Sequence, residues 1–184
     1  MLTDIQRHAL MDVARRSVAA AVTGAGSAVV ADLPLPDACG VFVTIKRGGE
    51  LRGCLGTLQC RAGLDSEVAR CASDAAREDP RFPPVTAREL PDLSIEVSVL
   101  GPLEVIDPHE PGAITLGEHG LVVEQGVRRG LLLPQVATDY GWDRDTFLRQ
   151  TCVKAGLPPE SWKLPDTKIE KFSAEVFGEE ELSR

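Results

Sequence analysis

The spacing of apolar and polar positions changes period several times along this chain, and each change predicts an element. Ile5, Ala9, Val13 and Ala20 recur at helical spacing, with Thr3 and Gln6 in a capping-box pattern ahead of them and Gly24 and Gly26 behind. They predict an amphipathic first helix. Leu33-Pro34-Leu35-Pro36 reads as extended loop. Val41 to Lys46 is β-branched and aromatic, Gly48-Gly49 is a turn signal, and Glu50 to Leu58 resumes as a strand, so a β-hairpin is expected here. Val68, Cys71/Ala72 and Ala75/Ala76 then recur at steps of three to four residues. That spacing predicts a helix over Asp65 to Glu78, capped by Asp65 or Ser66 and ended by Asp79-Pro80.

Beyond the rigid Arg81-Phe82-Pro83-Pro84 loop, Thr86 and Glu89 form a second capping-box pattern over a short turn. Leu93, Ile95, Val97 and Val99 alternate with Ser94, Glu96 and Ser98, the pattern of a half-buried strand. Gly101-Pro102 interrupts it before Leu103 to Ile106. Leu121 to Gln125 and Gly130 to Leu133 predict a second hairpin, turning through Gly126-Val127-Arg128-Arg129. Pro134 to Tyr140 is one or two helical turns, and a last clear helix runs from a cap at Asp143 through Phe147, Leu148 and Cys152 to Ala155, with Gly156 as its stop. The segment Lys168 to Phe177 reads as an added strand.

Hairpin-joined strands with helices between them predict an α+β fold: a mainly antiparallel sheet flanked by helices, with a smaller second subdomain. The break at Pro108 to Gly112 divides a main body of residues 1–108 plus the C-terminal strand from a smaller region of about 109–165, within a single domain of 1–184.

Composition narrows the partners. The 184 residues carry 20 Lys and Arg against 28 Asp and Glu, a net charge of -8, so a global electrostatic footprint for a phosphate backbone is absent. Five Phe, two Trp and one Tyr are few for base stacking, and nucleic acid is not expected as a partner. No apolar run approaches the ~20 residues of a membrane span. Arg15-Arg16-Ser17 ahead of Val18-Ala19-Ala20-Ala21-Val22 and the small residues up to Ala31 resembles a twin-arginine export signal, but capping and periodicity favour the helix and a cytoplasmic location. Five cysteines (Cys39, Cys54, Cys60, Cys71 and Cys152) form an odd set without C-x-x-C, and His8, His109 and His119 fall far from the closest pair. A reducing compartment, no metal site and no cofactor are expected.

The densest chemistry lies in Leu51-Arg52-Gly53-Cys54-Leu55-Gly56. Strand interiors tolerate glycine poorly, so two glycines around one cysteine imply bending or the close approach of a ligand or backbone. Alternation places Arg52, Cys54 and Gly56 on one face and Leu51, Gly53 and Leu55 on the other. Two readings stay open. In one, Arg52 favours a thiolate on Cys54. In the other, Cys54 is a small buried hydrophobe and the glycines make a bulge.

These six residues resemble the signature hexapeptide of the AMMECR domain family. Further matches follow in family order: Ala75 to Pro83 (AAREDPRFP), Glu118-His119-Gly120-Leu121, Gly130 to Ala137 (GLLLPQVA), Gly141-Trp142-Asp143 and Cys152 to Leu157 (CVKAGL). The LLPQV and KAGLP versions resemble the prokaryotic branch, and Leu55 replaces the commoner isoleucine. The resemblance implies an antiparallel sheet flanked by helices with a smaller subdomain. It also implies association with a Memo-like protein and a radical-SAM protein, beside which this family is called protein A. It implies no settled reaction.

Three functions compete. The first is a thiol-dependent enzyme or modifying subunit, with Cys54 as nucleophile, His119 as its base, Arg52 and Arg81 binding an anionic substrate and Gln135 orienting it. The second is a non-catalytic adaptor whose signature strand, opened by Gly53 and Gly56, presents itself to a partner. The third is a carrier of a small anionic ligand using Arg52 and Arg81. Acidic residues crowd the tail at Glu175, Glu179, Glu180 and Glu181, which leaves the two arginines as the expected centre of a locally basic site.

Overall fold

The computed structural model describes residues 2–25 and 30–182, apart from the Glu180 side chain, so Gly26 and the small residues after it lie outside the described part. The fold is α+β, and the chain divides into two compact units: Met1–Leu100 with Glu175–Arg184, and Gly101–Ala174. The division falls at Gly101-Pro102 and again inside the last strand; Pro108 to Gly112 lies within the second unit.

In the first unit, α1 (Asp4–Thr23) carries the expected capping box. Thr3 Oγ1 accepts the Gln6 amide at 3.3 Å, Gln6 Oε1 accepts the Thr3 amide at 2.9 Å, and Gly24 closes the helix at φ 75°. The buried stripe is Leu10, Val13, Ala14, Ser17 and Val18, while Ile5, expected on the apolar side, is exposed. Arg15, half of the twin-arginine pair, sits mid-helix and is bound to Glu179 and to the Leu93 carbonyl.

The first hairpin forms as β1 (Gly40–Arg47) and β2 (Glu50–Thr57), with both turn glycines at positive φ. Next come α2 (Leu64–Arg77) and β3 (Leu93–Leu100). The strands run β2-β1-β3, with the end of β7 (Lys168–Gly178) beside β3. Helix α2 starts after Gly63 with no side-chain cap, one residue earlier than its sequence signals. Buried Glu67, inside the helix, accepts the amides of Arg61 and Ala62 in the preceding loop at 2.8 and 3.3 Å, and Asp65 and Ser66, expected as the cap, lie in the first turn instead. Helices α1 and α2 cover one sheet face, burying Val41, Val43, Ile45, Ile95, Val97 and Val99. The opposite face holds Phe42, Thr44, Lys46, Ser94 and Glu96, all half-buried; Ser98 breaks the alternation by being buried.

Two of the tail acids, Glu175 and Glu179, hold the scaffold. Glu175 accepts the Leu2 amide at 2.9 Å and pairs with Arg7. Glu179 opens the short helix α5 (Glu179–Leu182), holds Arg15 and accepts the Ile95 amide at 2.9 Å.

The second unit contains β4 (Glu104–Val105), β5 (His119–Gln125), β6 (Arg128–Leu132), α3 (Pro134–Asp139), α4 (Arg144–Lys154) and a 3₁₀ turn at Pro159–Lys163. β5 lies between β7 and β6, and β4 pairs with β7, all antiparallel. Phe147, Leu148, Cys152, Trp162, Leu121, Val123 and Ile169 form its core. The second hairpin turns in two residues rather than four: Gly126, at φ 60°, and exposed Val127 form the tip, and Arg128 already pairs with Gln125. A two-residue turn matches the strand twist, which is why both arginines join the ladder.

Candidate functional site

Strand β2 is an edge strand, and the hexapeptide occupies most of it. Gly53 faces α2. A Cβ there would meet the Ala75 carbonyl oxygen at 2.2 Å, so glycine lets the helix backbone lie directly on the strand. Gly56 faces the other way, opposite Phe42, and a Cβ there would strike the Phe42 ring at 2.3 Å and the Val41 carbonyl oxygen at 2.3 Å. The bulge is not at a glycine. Ile45 pairs with Gly53 and Lys46 with Leu51, which leaves Arg52 as the extra residue. Strict alternation therefore stops at Arg52, and Leu51 beyond it is exposed.

The bulge sends Arg52 toward the loop after α2. Its Nε and Nη2 bind Glu89 at 2.8 and 3.2 Å, Nη1 binds the Pro83 carbonyl at 2.9 Å, and Nη2 also meets the Pro84 carbonyl at 3.4 Å. The Arg52 guanidinium holds the Glu89 carboxyl down to about 2, helped by the Thr86 amide and hydroxyl. The capping-box pattern expected of Thr86 and Glu89 over a short turn is half present: Glu89 accepts the Thr86 amide at 2.8 Å, in a turn that presents its carboxylate to Arg52.

The same loop closes the strand edge at Cys54. Its amide donates to Asp79 Oδ2 at 2.8 Å, and its carbonyl accepts from Arg81 Nη2 at 3.2 Å. Arg81 in turn grips both Asp79 oxygens, at 2.9 and 2.7 Å. Asp79 is buried, and its carboxyl lies well below the usual range because of the Arg81 hydrogen bonds, with the Cys54 amide adding to them against the cost of burial. Both arginines expected to attract an anion are therefore ion-paired, Arg81 with Asp79 and Arg52 with Glu89, which also meets Arg47 at 3.5 Å.

The Cys54 side chain has a different neighbour. Cys54 and Thr44 are opposed in the β1/β2 ladder, and Thr44 Oγ1 donates to Sγ at 3.3 Å. The thiol is half-buried.

His119 and Gln135 belong to the second unit. His119 opens β5, and its Nδ1 accepts the Thr115 amide at 2.9 Å, while its own amide donates to the Thr115 carbonyl at 2.9 Å. An accepting Nδ1 places the proton of the neutral ring on Nε2, which makes Nε2 a donor. The general-base role expected from sequence requires that bond to break; a donor role does not. Gln135 is the second residue of α3, half-buried, and its carbonyl accepts the Thr138 hydroxyl at 2.8 Å. Among the described residues, no group of three or more His, Cys, Asp or Glu is placed to hold a metal ion.

Sequence reasoning missed Asp79, Glu89 and Thr44. Asp79-Pro80 carries a helix-stop signal, and the second use of its carboxylate leaves no mark at the sequence level.

A half-buried thiol on a glycine-flanked edge strand, with its backbone gripped by an Asp-Arg pair, defines an α+β protein built around one signature hairpin. The chain belongs to the AMMECR1 family, whose profile matches residues 11–177. It is 45% identical over 179 residues to a protein of Methanothermobacter thermautotrophicus, covering 93% of each, and 51% identical over 149 residues to one of Thermococcus gammatolerans, covering 77% of this chain and 73% of that protein. Its fold is similar to the crystal structure of the uncharacterized protein PH0010 from Pyrococcus horikoshii, with a TM-score of 0.78, 41% identity and coverage of 95% of this chain and 91% of the other.

Proposed function

We propose that this chain is a thiol-dependent protein acting through Cys54, as an enzyme or as a modifying subunit beside the Memo-like and radical-SAM proteins that the family resemblance implies. One observation carries the reading: Arg52, Gly53 and Gly56 of the signature are each taken up by the scaffold, whereas among the described residues the half-buried Cys54 side chain has one hydrogen bond, from Thr44. Gly53 and Gly56 admit Ala75 and Phe42, Arg52 ties down the loop, and Asp79 and Arg81 hold the Cys54 backbone. The thiol stands on this frame and accepts a hydrogen bond from the Thr44 hydroxyl at 3.3 Å. In the step we envisage, Sγ attacks an electrophilic carbon, a carbon–sulfur bond forms, the thiol proton passes to solvent and the leaving group departs. Arg52 and Arg81 act here as positioning residues.

The adaptor reading by strand addition needs a free edge on β2, and at Cys54 that edge is filled by Asp79 and Arg81.

Selective alkylation tests the proposal. Folded protein treated with iodoacetamide near pH 7 should react at Cys54 ahead of Cys39, Cys60, Cys71 and Cys152, and faster than a free small thiol. Equal labelling of all five, or protection of Cys54, would overturn it.

A further inference from the structure

Two other cysteines flank the signature hairpin. Cys39 precedes β1 and Cys60 follows β2, both half-buried, and the Cys60 amide donates to the Cys39 carbonyl at 3.2 Å. The Cys39 amide itself donates to the Leu100 carbonyl at 3.0 Å, so a single backbone hydrogen bond ties Cys60 to Cys39. Standard bond lengths across that hydrogen bond keep their Cα atoms within about 7 Å, the outer reach of a disulfide. The two sulfurs also feel each other's charge: burial first, then Glu67 and then Cys39 push the Cys60 thiol up to about 11. Neither residue lies within a strand or helix, so the backbone at both positions has room to adjust.

We propose that Cys39 and Cys60 form a reversible intramolecular disulfide when the protein meets a small-molecule disulfide such as oxidised glutathione. The Cys39 thiolate attacks one glutathione sulfur, breaking its S–S bond and releasing one glutathione thiolate. The Cys60 thiolate then displaces the second glutathione from Cys39. The two protein thiols lose two electrons and two protons; oxidised glutathione gains both and leaves as two thiols. The high Cys60 value makes the second displacement slow at neutral pH and faster as pH rises.

The loop that this disulfide closes, 39–60, contains both strands of the hairpin and Cys54. The inference stands apart from the role assigned to Cys54, since it uses neither that thiol nor its reactivity.

The test is oxidation of the folded chain by oxidised glutathione, followed by thiol blocking, trypsin digestion and mass spectrometry. The expected product links the peptide Ser17–Lys46 to Gly53–Arg61, with fragmentation assigning the bond to Cys60 rather than Cys54. The link should disappear in Cys60→Ser, persist in Cys54→Ser and be reversed by dithiothreitol. Its yield within a fixed time should rise between pH 7 and pH 9. A Cys39–Cys54 or Cys60–Cys71 link, links only between molecules, or stable glutathione adducts without a link would each overturn the proposal. Fragment assignment in the unaltered chain decides the matter even if Cys60→Ser fails to fold.

Discussion

Asp79 accepts the backbone amide of Cys54 at 2.8 Å, joining residues 25 apart in sequence, and the carboxylate that does so is buried and gripped by Arg81. Asp79→Ala leaves the Cys54 amide and the Arg81 guanidinium without that acceptor. We expect it to cost about 2–4 kcal/mol in urea unfolding, with Asp79→Asn losing roughly half as much. A loss below about 1 kcal/mol for Asp79→Ala would show that the clamp is incidental.

The two ion pairs also set an acid limit. Both carboxyls are depressed in the folded protein, Asp79 by Arg81 and Glu89 by Arg52, the latter to about 2. A depressed acid stabilises above its unfolded pKa and loses that contribution as pH falls through its folded value. Thermal melting should thus be flat above about pH 5 and drop steeply from about pH 4.5 toward pH 2. Arg52→Met should flatten the Glu89 part of the drop while lowering stability at neutral pH. An unchanged profile in that variant would rule out the pair as its source.

Three glycines in and near the motif are sterically obligatory to different degrees. Gly53→Ala drives a methyl against the Ala75 carbonyl, and Gly56→Ala against both Phe42 and the Val41 carbonyl. Each should destabilise by about 3 kcal/mol or more. Gly63→Ala meets only the Asp65 side chain, at ordinary negative φ, and should cost under about 1 kcal/mol. Denaturant midpoints of the three variants give the comparison, and equal losses would contradict it.

Much of the scaffold was legible because its signals are local. Gly48-Gly49 between β-branched runs fixed the first hairpin, Thr3 with Gln6 fixed the start of α1, and Asp143 with Gly156 bounded α4. What escaped depends on distant partners. An extra residue at Arg52 cannot be read from alternation when the residue after it is a glycine that faces a helix backbone. Helix α2 has no side-chain cap; Glu67, inside the helix, takes the amides of Arg61 and Ala62 in the loop before it. The arginines were recognised, but the carboxylates that neutralise them lie in a loop whose own pattern spells only turn and helix stop.

Thr44 offers a direct probe of the thiol. Thr44→Val keeps the shape and removes the hydroxyl that donates to Cys54. Alkylation of Cys54 near pH 7 should slow several-fold, the equivalent of about 1 kcal/mol, while Thr44→Ser retains the natural rate. Identical rates in all three proteins would remove Thr44 from the proposed mechanism.

For His119, the Thr115 amide predicts the tautomer. Long-range proton–nitrogen spectra at pH 8 should find Nδ1 bare and the proton on Nε2. Protonated Nδ1 would restore the histidine as a candidate base.

The path of the chain also dictates an order of assembly on the ribosome. The first unit is discontinuous, with residues 101–174 inserted before Glu175 returns the chain to it, whereas the second unit is one unbroken stretch. The inserted unit emerges with all its strands in hand; its host waits with the outer edge of β3 open until the end of β7 is synthesised. A nascent chain stalled before Glu175 thus exposes a strand edge that the finished protein hides, and chaperone capture is expected to peak in that interval.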